Sequence, residues 1–392
     1  MIYVGIDVAK DFHECTIISQ CNDLLLPCFS ISNTQSGFQQ LYDTINKISD
    51  GNKSSVKIGL ESTGHYSANL LNFLSNSQFE VVCLNALSVL NYKKSQSLRK
   101  TKTDRSDSRS IAEILMSDKS RPYSPQNNHI AVLKSLTRAR YRTTKHLQRI
   151  KGCYRRSVQL LFPELSTQFS NLYLKTALNF VAKYPGAKEV ANTNITSLKN
   201  FLRTQSHGIM SEKKALEIKN AAKNSIAIYN EGDSLELKLL AEQIIYLQEQ
   251  RNVIETKINI IMTEINSPIV SIPGIGNILG ATILAEIGCI SNFDSPAKLQ
   301  AFSGTDPAIY QSGKFNATNT PMVKRGSAFL RHAIYLATCM AHIASLSFST
   351  YINKKIAQGK HYFVAISHGM KKMIRVIFHV LTTGNCFVEP VI

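Results

Sequence analysis

The 392-residue sequence predicts an α/β amino-terminal domain, then a long-helix region, then a mostly α carboxy-terminal domain. Three observations carry that reading. Short β-rich runs alternate with helical stretches through the first 118 residues. Beyond Pro122 and Pro125 apolar residues recur at helical spacing. After Pro268 glycine-punctuated turns separate apolar helices. The expected domains are therefore 1–125, 126–267 and 268–392.

In order, Ile2–Val8, Glu14–Ser19 and Leu24–Ile31 read as three strands, close enough in sequence to form antiparallel hairpins. A helix over Thr34–Ile48, a strand over Val56–Glu61, a helix over Tyr66–Ser75 and a strand over Phe79–Leu84 follow. A polar, basic loop over Asn91–Thr103 then opens a helix at Asp104–Ser117. Three antiparallel strands followed by helix, strand, helix, strand, helix is the order of a ribonuclease-H-like α/β domain.

In the middle region, Leu133, Leu136, Leu147, Ile150, Tyr154, Val158 and Leu161 mark one long helix ending at Pro163. A second, Leu240–Ile265, places apolar residues at 240, 244, 247, 254, 258, 261 and 265, with Arg251 in the one polar slot. Steps of four and three make a heptad seam. Its occupant is the Val132–Leu161 helix of the same chain, a second copy in a coiled-coil dimer or tetramer, or both at once, with self-association expected. Residues 168–233 carry no readable pattern.

Composition bounds the function. With 44% hydrophobic and 18% charged residues the chain is globular, not disordered. Forty-five Lys plus Arg against 27 Asp plus Glu leave a net charge of +18, which suits a polyanion. Of that excess, +14 falls between Lys93 and Arg156, where 18 cations face 4 acids. Such concentration points to a phosphate-binding surface. The candidate contacts are Lys100, Lys102, Arg105, Arg109, Arg138, Arg140, Arg142, Arg149, Arg155 and Arg156, with Gly274, Gly276, Lys314, Lys324, Arg325 and Arg331 further on. No apolar run is long enough to span a bilayer and no signal peptide opens the chain, so a cytoplasmic, nucleoid-associated protein is expected. The eight cysteines include no CxxC pair or zinc spacing and read as reduced thiols.

Two constellations carry chemistry. Asp7 lies near the end of the first strand, Glu61 ends the fourth, and Asp104 with Asp107 opens the helix after the fifth. Strand ends converge and an i,i+3 pair shares a helix face. Four carboxylates at one point need a cation; hard oxygen donors favour Mg²⁺, and two such ions can flank a phosphate. Any one of these acids alone could equally be a helix cap. The second constellation is Ser312 between Gln311 and Gly313, a loop serine with Lys314 beside it. Ile272-Pro273-Gly274-Ile275-Gly276 resembles a helix-hairpin-helix turn, or is a plain tight connection.

The successive segments GIDVAK, LESTGHY, KTDRSDSRSIA, IPGIGNILGATILAEIG, FSGTDPAIYQSGKF and VKRGSAFLRHAIYLA resemble the motifs of the DEDD transposases of the insertion-sequence one-ten family. The resemblance covers roughly residues 1–160 and 265–345, departing at Thr305-Asp306, where the family favours an apolar residue before its Asp or Val. It implies a RuvC-like amino-terminal domain and a carboxy-terminal transposase domain. It implies that Asp7, Glu61, Asp104 and Asp107 hold Mg²⁺ at a scissile phosphate and that Ser312 forms a covalent phosphoserine. A bridge RNA would guide strand exchange between donor and target DNA. A Holliday-junction-type nuclease using water on the same acids, and a non-catalytic nucleic-acid-binding protein, are the alternatives.

Overall fold

The order of strands in the first sheet decides where the candidate acids stand. The computed structural model describes residues 1–61, 66–96, 104–117, 122–123, 128–210, 212–308, 311–312, 315–316 and 320–390. They fall into two units, Met1–Pro125 and Gln126–Ile392.

In the first unit, β1 (Ile2–Val8), β2 (Phe12–Ser19) and β3 (Leu24–Ser32) form an antiparallel meander. The chain then runs through α1 (Gln35–Ile48) to β4 (Val56–Glu61), which pairs parallel to β1. After α2 (Ser67–Asn76), β5 (Glu80–Leu84) adds parallel to β4, giving the order β3-β2-β1-β4-β5. This mixed sheet is consistent with a ribonuclease-H-like domain. Val4, Ile6, Val56, Ile58 and Leu60 form a core with Phe38, Leu41 and Ile45 of α1 and Leu70 and Leu74 of α2. By strand alternation the odd-numbered residues of β1 and β4 face the other way. That opposite face is covered by α4 (Asp104–Ser117), whose Ile111 and Leu115 join Val82, Leu84 and Val89. The expected loop from Asn91 is a correction: α3 (Ala86–Gln96) carries the chain as helix to Gln96, anchored by buried Val89, a packing cue that periodicity does not reveal.

The second unit is organised on two long helices, α5 (Asn128–Leu161) and, after four-residue α6 (Leu165–Gln168) and α7 (Lys175–Lys183), α8 (Ala187–Asn192), α9 (Ile195–Gln205) and α10 (Glu212–Lys223), α11 (Glu231–Ile265). At 34 residues α5 is about 51 Å long. It runs antiparallel to α11. One core joins Leu147, Tyr154 and Leu161 to Leu237, Ile244 and Leu247, capped by α7–α10, which occupy the stretch without a readable pattern. Leu133, Ile258 and Ile261 enter the other core. The heptad residues Leu240, Ile244, Leu247, Ile258 and Ile261 are buried against the chain's own elements. Of the two expected occupants of that seam, the chain's own helix is therefore present, and it takes up much of the hydrophobic gain within the chain.

The other core gathers α12 (Asn277–Ile287), α13 (Pro296–Ser303), α14 (Ala328–Ala344), α15 (Leu346–Ala357) and α16 (Tyr362–Thr383); a two-stranded ribbon, β6 (Gln311–Ser312) and β7 (Phe315–Asn316), lies between α13 and α14 in sequence. Among the described residues no single helix is long and apolar enough to cross a membrane.

Candidate active site and nucleic-acid interface

Glycines set the geometry of the acid-bearing face. A Cβ on Gly5 would lie 2.0 Å from the carbonyl oxygen of Ser108, and one on Gly59 would lie 2.7 Å from the Leu115 side chain. Glycine at both positions lets α4 rest on β1 and β4. The fit is locked by a hydrogen bond of 2.7 Å between the buried hydroxyls of Thr16 and Ser108. Gly5 and Gly59 are partners in the parallel register. Two residues on, Asp7 and Glu61 therefore point to the α4 side of the sheet. Asp107, one residue before Ser108, lies on the helix that covers that side and is 4% exposed.

A carboxylate so buried needs a positive partner. Lys93 of α3 supplies one, its Nζ 2.9 Å from Asp107 Oδ1. Glu14 is the acid that sequence reasoning missed: it stands directly across the β1–β2 pair from Asp7, and its carboxylate accepts from the Cys28 thiol at 3.1 Å. The hairpin register was the signal for it, since opposed residues share a face. The carboxylate oxygens of Asp7, Glu14, Glu61 and Asp107 on this side of the sheet are donors that suit a hard divalent cation. Among the described residues no three acidic, His or Cys side chains close on a single ion position. The side chain of Asp104 lies outside the described residues.

Ser312 belongs to a hairpin whose described base is tied by backbone hydrogen bonds. Val323 N–H donates to Asp306 O (2.8 Å), Ala308 N–H to Pro321 O (2.8 Å) and Lys324 N–H to Gly304 O (3.0 Å), while Pro307 and Met322 form a bridge. Further out Ser312 pairs with Phe315. Arg331 clamps the base, its Nη1 donating to Ser303 O (3.1 Å) and Lys324 O (3.3 Å). Gly326, at φ +149°, crosses so close to α13 that a Cβ would come within 2.2 Å of Phe302 O. Ser327 ends the stem by capping α14 through Leu330 N–H, and donates its hydroxyl to Glu286 at 2.8 Å.

Glu286 connects this stem to the basic helix. It is 4% exposed and takes a bidentate pair from Arg138, 2.7 and 3.0 Å long. Burial alone would push its carboxyl up; the Arg138 and Ser327 hydrogen bonds and the Arg138 and Lys134 charges outweigh that and hold it below the usual carboxylate range. The Arg138 guanidinium also stacks over Phe329 at 4.8 Å.

Several of the expected phosphate contacts have partners within the chain. Arg138 pairs with Glu286, Arg140 with Glu255 at 2.7 Å, and Arg331 bonds the hairpin base. Arg109 pairs with Glu113 at 2.9 Å and stays half-exposed. Arg142, Arg149, Arg155 and Arg156 are exposed. Arg142, Lys145, Arg149 and Arg156 recur at three, four and seven residues and so share one helix face spanning about 21 Å. Lys324 and Arg325 are exposed on the stem. Gly274 takes φ +87° and packs on α14, where a Cβ would meet Ala337 O at 2.6 Å. Gly276 caps α12 with open space around it. Lys100, Lys102 and Lys314 and the side chains of Arg105 and Ser312 lie outside the described residues.

Two family models match the chain, one toward each end. Residues 4–163 match a family model described as a transposase, of the DEDD class of IS110. Residues 266–353 match a second, described as the transposase IS116/IS110/IS902 family. Similar proteins include the IS117 mini-circle protein of Streptomyces coelicolor, 22% identical over 99% of this chain and 95% of its own. An IS116 protein of Streptomyces clavuligerus is 22% identical over 98% and 96%. An IS110 protein of Streptomyces coelicolor is 26% identical over 38% and 37%. With both ends of the chain matched in order to transposase models that together take in more than half of it, the chain belongs to the IS110 family of transposases.

Proposed function

We propose that this transposase cuts and rejoins DNA through a covalent phosphoserine at Ser312, with Mg²⁺ held by Asp7, Glu61, Asp104 and Asp107. The observation that carries the reading is the shared face: Gly5 and Gly59 seat α4 on the sheet so that Asp7 and Glu61 point toward the helix bearing Asp107. The ion, when bound, would offset charge on a phosphate brought among the carboxylates. Lys93, which now neutralises Asp107, is the cation it would have to replace. Ser312 sits on a hairpin whose base is tied by hydrogen bonds between 304–308 and 321–324, which suits a nucleophile that must meet phosphorus in line. Its attack exchanges one phosphodiester P–O bond for another and releases a strand hydroxyl. That hydroxyl, or a new one, reverses the step on rejoining, so bond energy is kept that hydrolysis would lose.

The exposed Arg142, Lys145, Arg149 and Arg156 face would hold nucleic acid backbone. Guidance by a bridge RNA rests on the family resemblance; sequencing of RNA that co-purifies with active protein tests it, and recovery of no discrete species overturns it.

The chemical test is trapping. With Mg²⁺ and element-end DNA, the natural chain should give a protein–DNA adduct stable to denaturant, and Ser312→Ala should give none. Asp7→Asn should abolish both adduct and cleavage. Cleavage that survives Ser312→Ala would move the protein to the water-using nuclease class.

A further inference from the structure

Residues 345–392 carry six lysines and arginines against one acid, Glu389, an excess outside the basic stretch already described. Glu389 is tied down at the start of α15, accepting from Ser347 N–H at 2.7 Å and from the Ser345 hydroxyl at 2.8 Å. Lys372 is also committed, donating to Ser347 O at 2.7 Å and lying over the Phe348 ring. At the opposite end, where α15 turns into α16, Lys355, Lys360 and Lys371 gather around His368. Burial lowers the imidazole pKa, and the charges of Lys360, Lys371 and Lys355 lower it further; every charge it feels is positive.

The same corner exposes aromatic surface. Tyr362 and Phe363, at the first turn of α16, are 41% and 59% exposed and meet edge to face at 5.6 Å. Beside them Ser367, His368 and Lys371, on one face of α16, line an open cleft of about 280 Å³. Its other wall is the stem of the serine hairpin, including Thr305, Thr320 and Met322. The Pro307–Met322 bridge in that stem is five residues from Ser312, a reach of no more than about 17 Å. The cleft is open rather than enclosed and mixes Ser367, His368 and Lys371 with apolar Val364 and Met322, a lining that suits a strand passing through. Uncompensated cations beside exposed rings are the pairing that recognises unpaired nucleotides, because the phosphates need charge and every base has a face to stack.

We propose that the α15–α16 corner is a binding site for single-stranded nucleic acid, with Lys355, Lys360 and Lys371 on the phosphates, Tyr362 and Phe363 under an unpaired base, and the cleft leading the strand to the serine hairpin. The inference rests on the proposed role of that hairpin. The chemistry is common to DNA and RNA strands, and the test separates them.

Full-length protein is titrated with labelled single-stranded DNA, single-stranded RNA of the same sequence, and duplex DNA across a salt series. The variant Lys355→Gln/Lys360→Gln/Lys371→Gln should lower the slope of log affinity against log salt by about 2 on single strands, three contacts at about 0.7 each. The variant Tyr362→Ala/Phe363→Ala should weaken single-strand binding about tenfold while leaving the slope and duplex binding unchanged. Loss on DNA alone or on RNA alone identifies the strand that occupies the corner, and either supports the proposal. Single-strand binding unchanged in both variants overturns it, as does an aromatic variant that weakens duplex as much as single strands. If Arg142→Gln/Arg149→Gln/Arg156→Gln abolishes binding while the corner variants bind normally, the corner falls and the transposase reading stands. If the natural chain binds no nucleic acid, both fall.

Discussion

Up to Arg140, α5 spends its cations on carboxylates of neighbouring helices, whereas between Arg142 and Arg156 it turns most of them to solvent. The residue types are the same on one continuous helix. What differs is the company: the first half packs beside α12 and α14, where Glu286 is buried and demands a partner, and the second half presents its cations away from the core shared with α11. Charge density along a helix therefore does not translate into phosphate contacts until the acids across from it are known. In the first half the guanidinium groups serve stability, and only in the second do they form a free cationic face.

Four measurements can break or sharpen that contrast. The largest effect is expected for Arg138→Met, which strands a buried carboxylate. Breaking such a pair costs about 3–5 kcal/mol, and the lower end applies because Arg138 is 38% exposed. Denaturant unfolding should show the loss, and the double variant Arg138→Met/Glu286→Leu should recover most of it. Full stability in the single variant would mean that the first half of α5 is as free as the second.

Next comes Arg142→Gln/Arg149→Gln/Arg156→Gln. Its melting temperature should match the natural chain, while the salt slope of duplex binding falls by between about 2 and 3, at about 0.9 per phosphate contact. Arg138→Met should leave that slope alone; a slope lowered equally by both variants would erase the distinction.

The third measurement is acid unfolding. Glu286 is held below its usual value, so the stability it contributes is complete above the ordinary carboxylate value near 4.5 and is lost as pH falls through the depressed one. Arg138→Met should make that acid limb shallower, and an unchanged limb would assign the acid sensitivity elsewhere.

The smallest effect belongs to Arg140→Met. Its pair with Glu255 is about 30% exposed on both sides, and Arg251, 3.6 Å from the same carboxylate oxygen, remains as a partner, so a loss of about 1 kcal/mol or less is expected on the same denaturation curve. A loss as large as that of Arg138→Met would place the boundary further along the helix than Arg140.

Strand and helix patterning made the first domain legible almost to the residue: β1, β4 and α4 have the limits their apolar rhythm predicts, and the strand-end acids follow from it. The α7–α10 segment was illegible because its helices, of 6 to 12 residues, are too short to establish a period and exist by packing on Tyr154, Phe180 and their neighbours. Lys93 is hidden for a related reason: it stands in a polar stretch with no apolar rhythm, and nothing local ties it to Asp107.

The sequence by itself determined the order of elements, the heptad spacing, the location of most of the charge and the motif residues, because these depend on local propensity and on which residue types chemistry requires. Only the tertiary structure decided that the heptad seam closes on α5, that Arg138, Arg140 and Arg331 are already engaged, that Glu14 stands opposite Asp7, and that a basic, aromatic corner flanks the serine hairpin. Each of these depends on a partner distant in sequence, and a buried group takes whichever partner the fold brings within hydrogen-bonding distance.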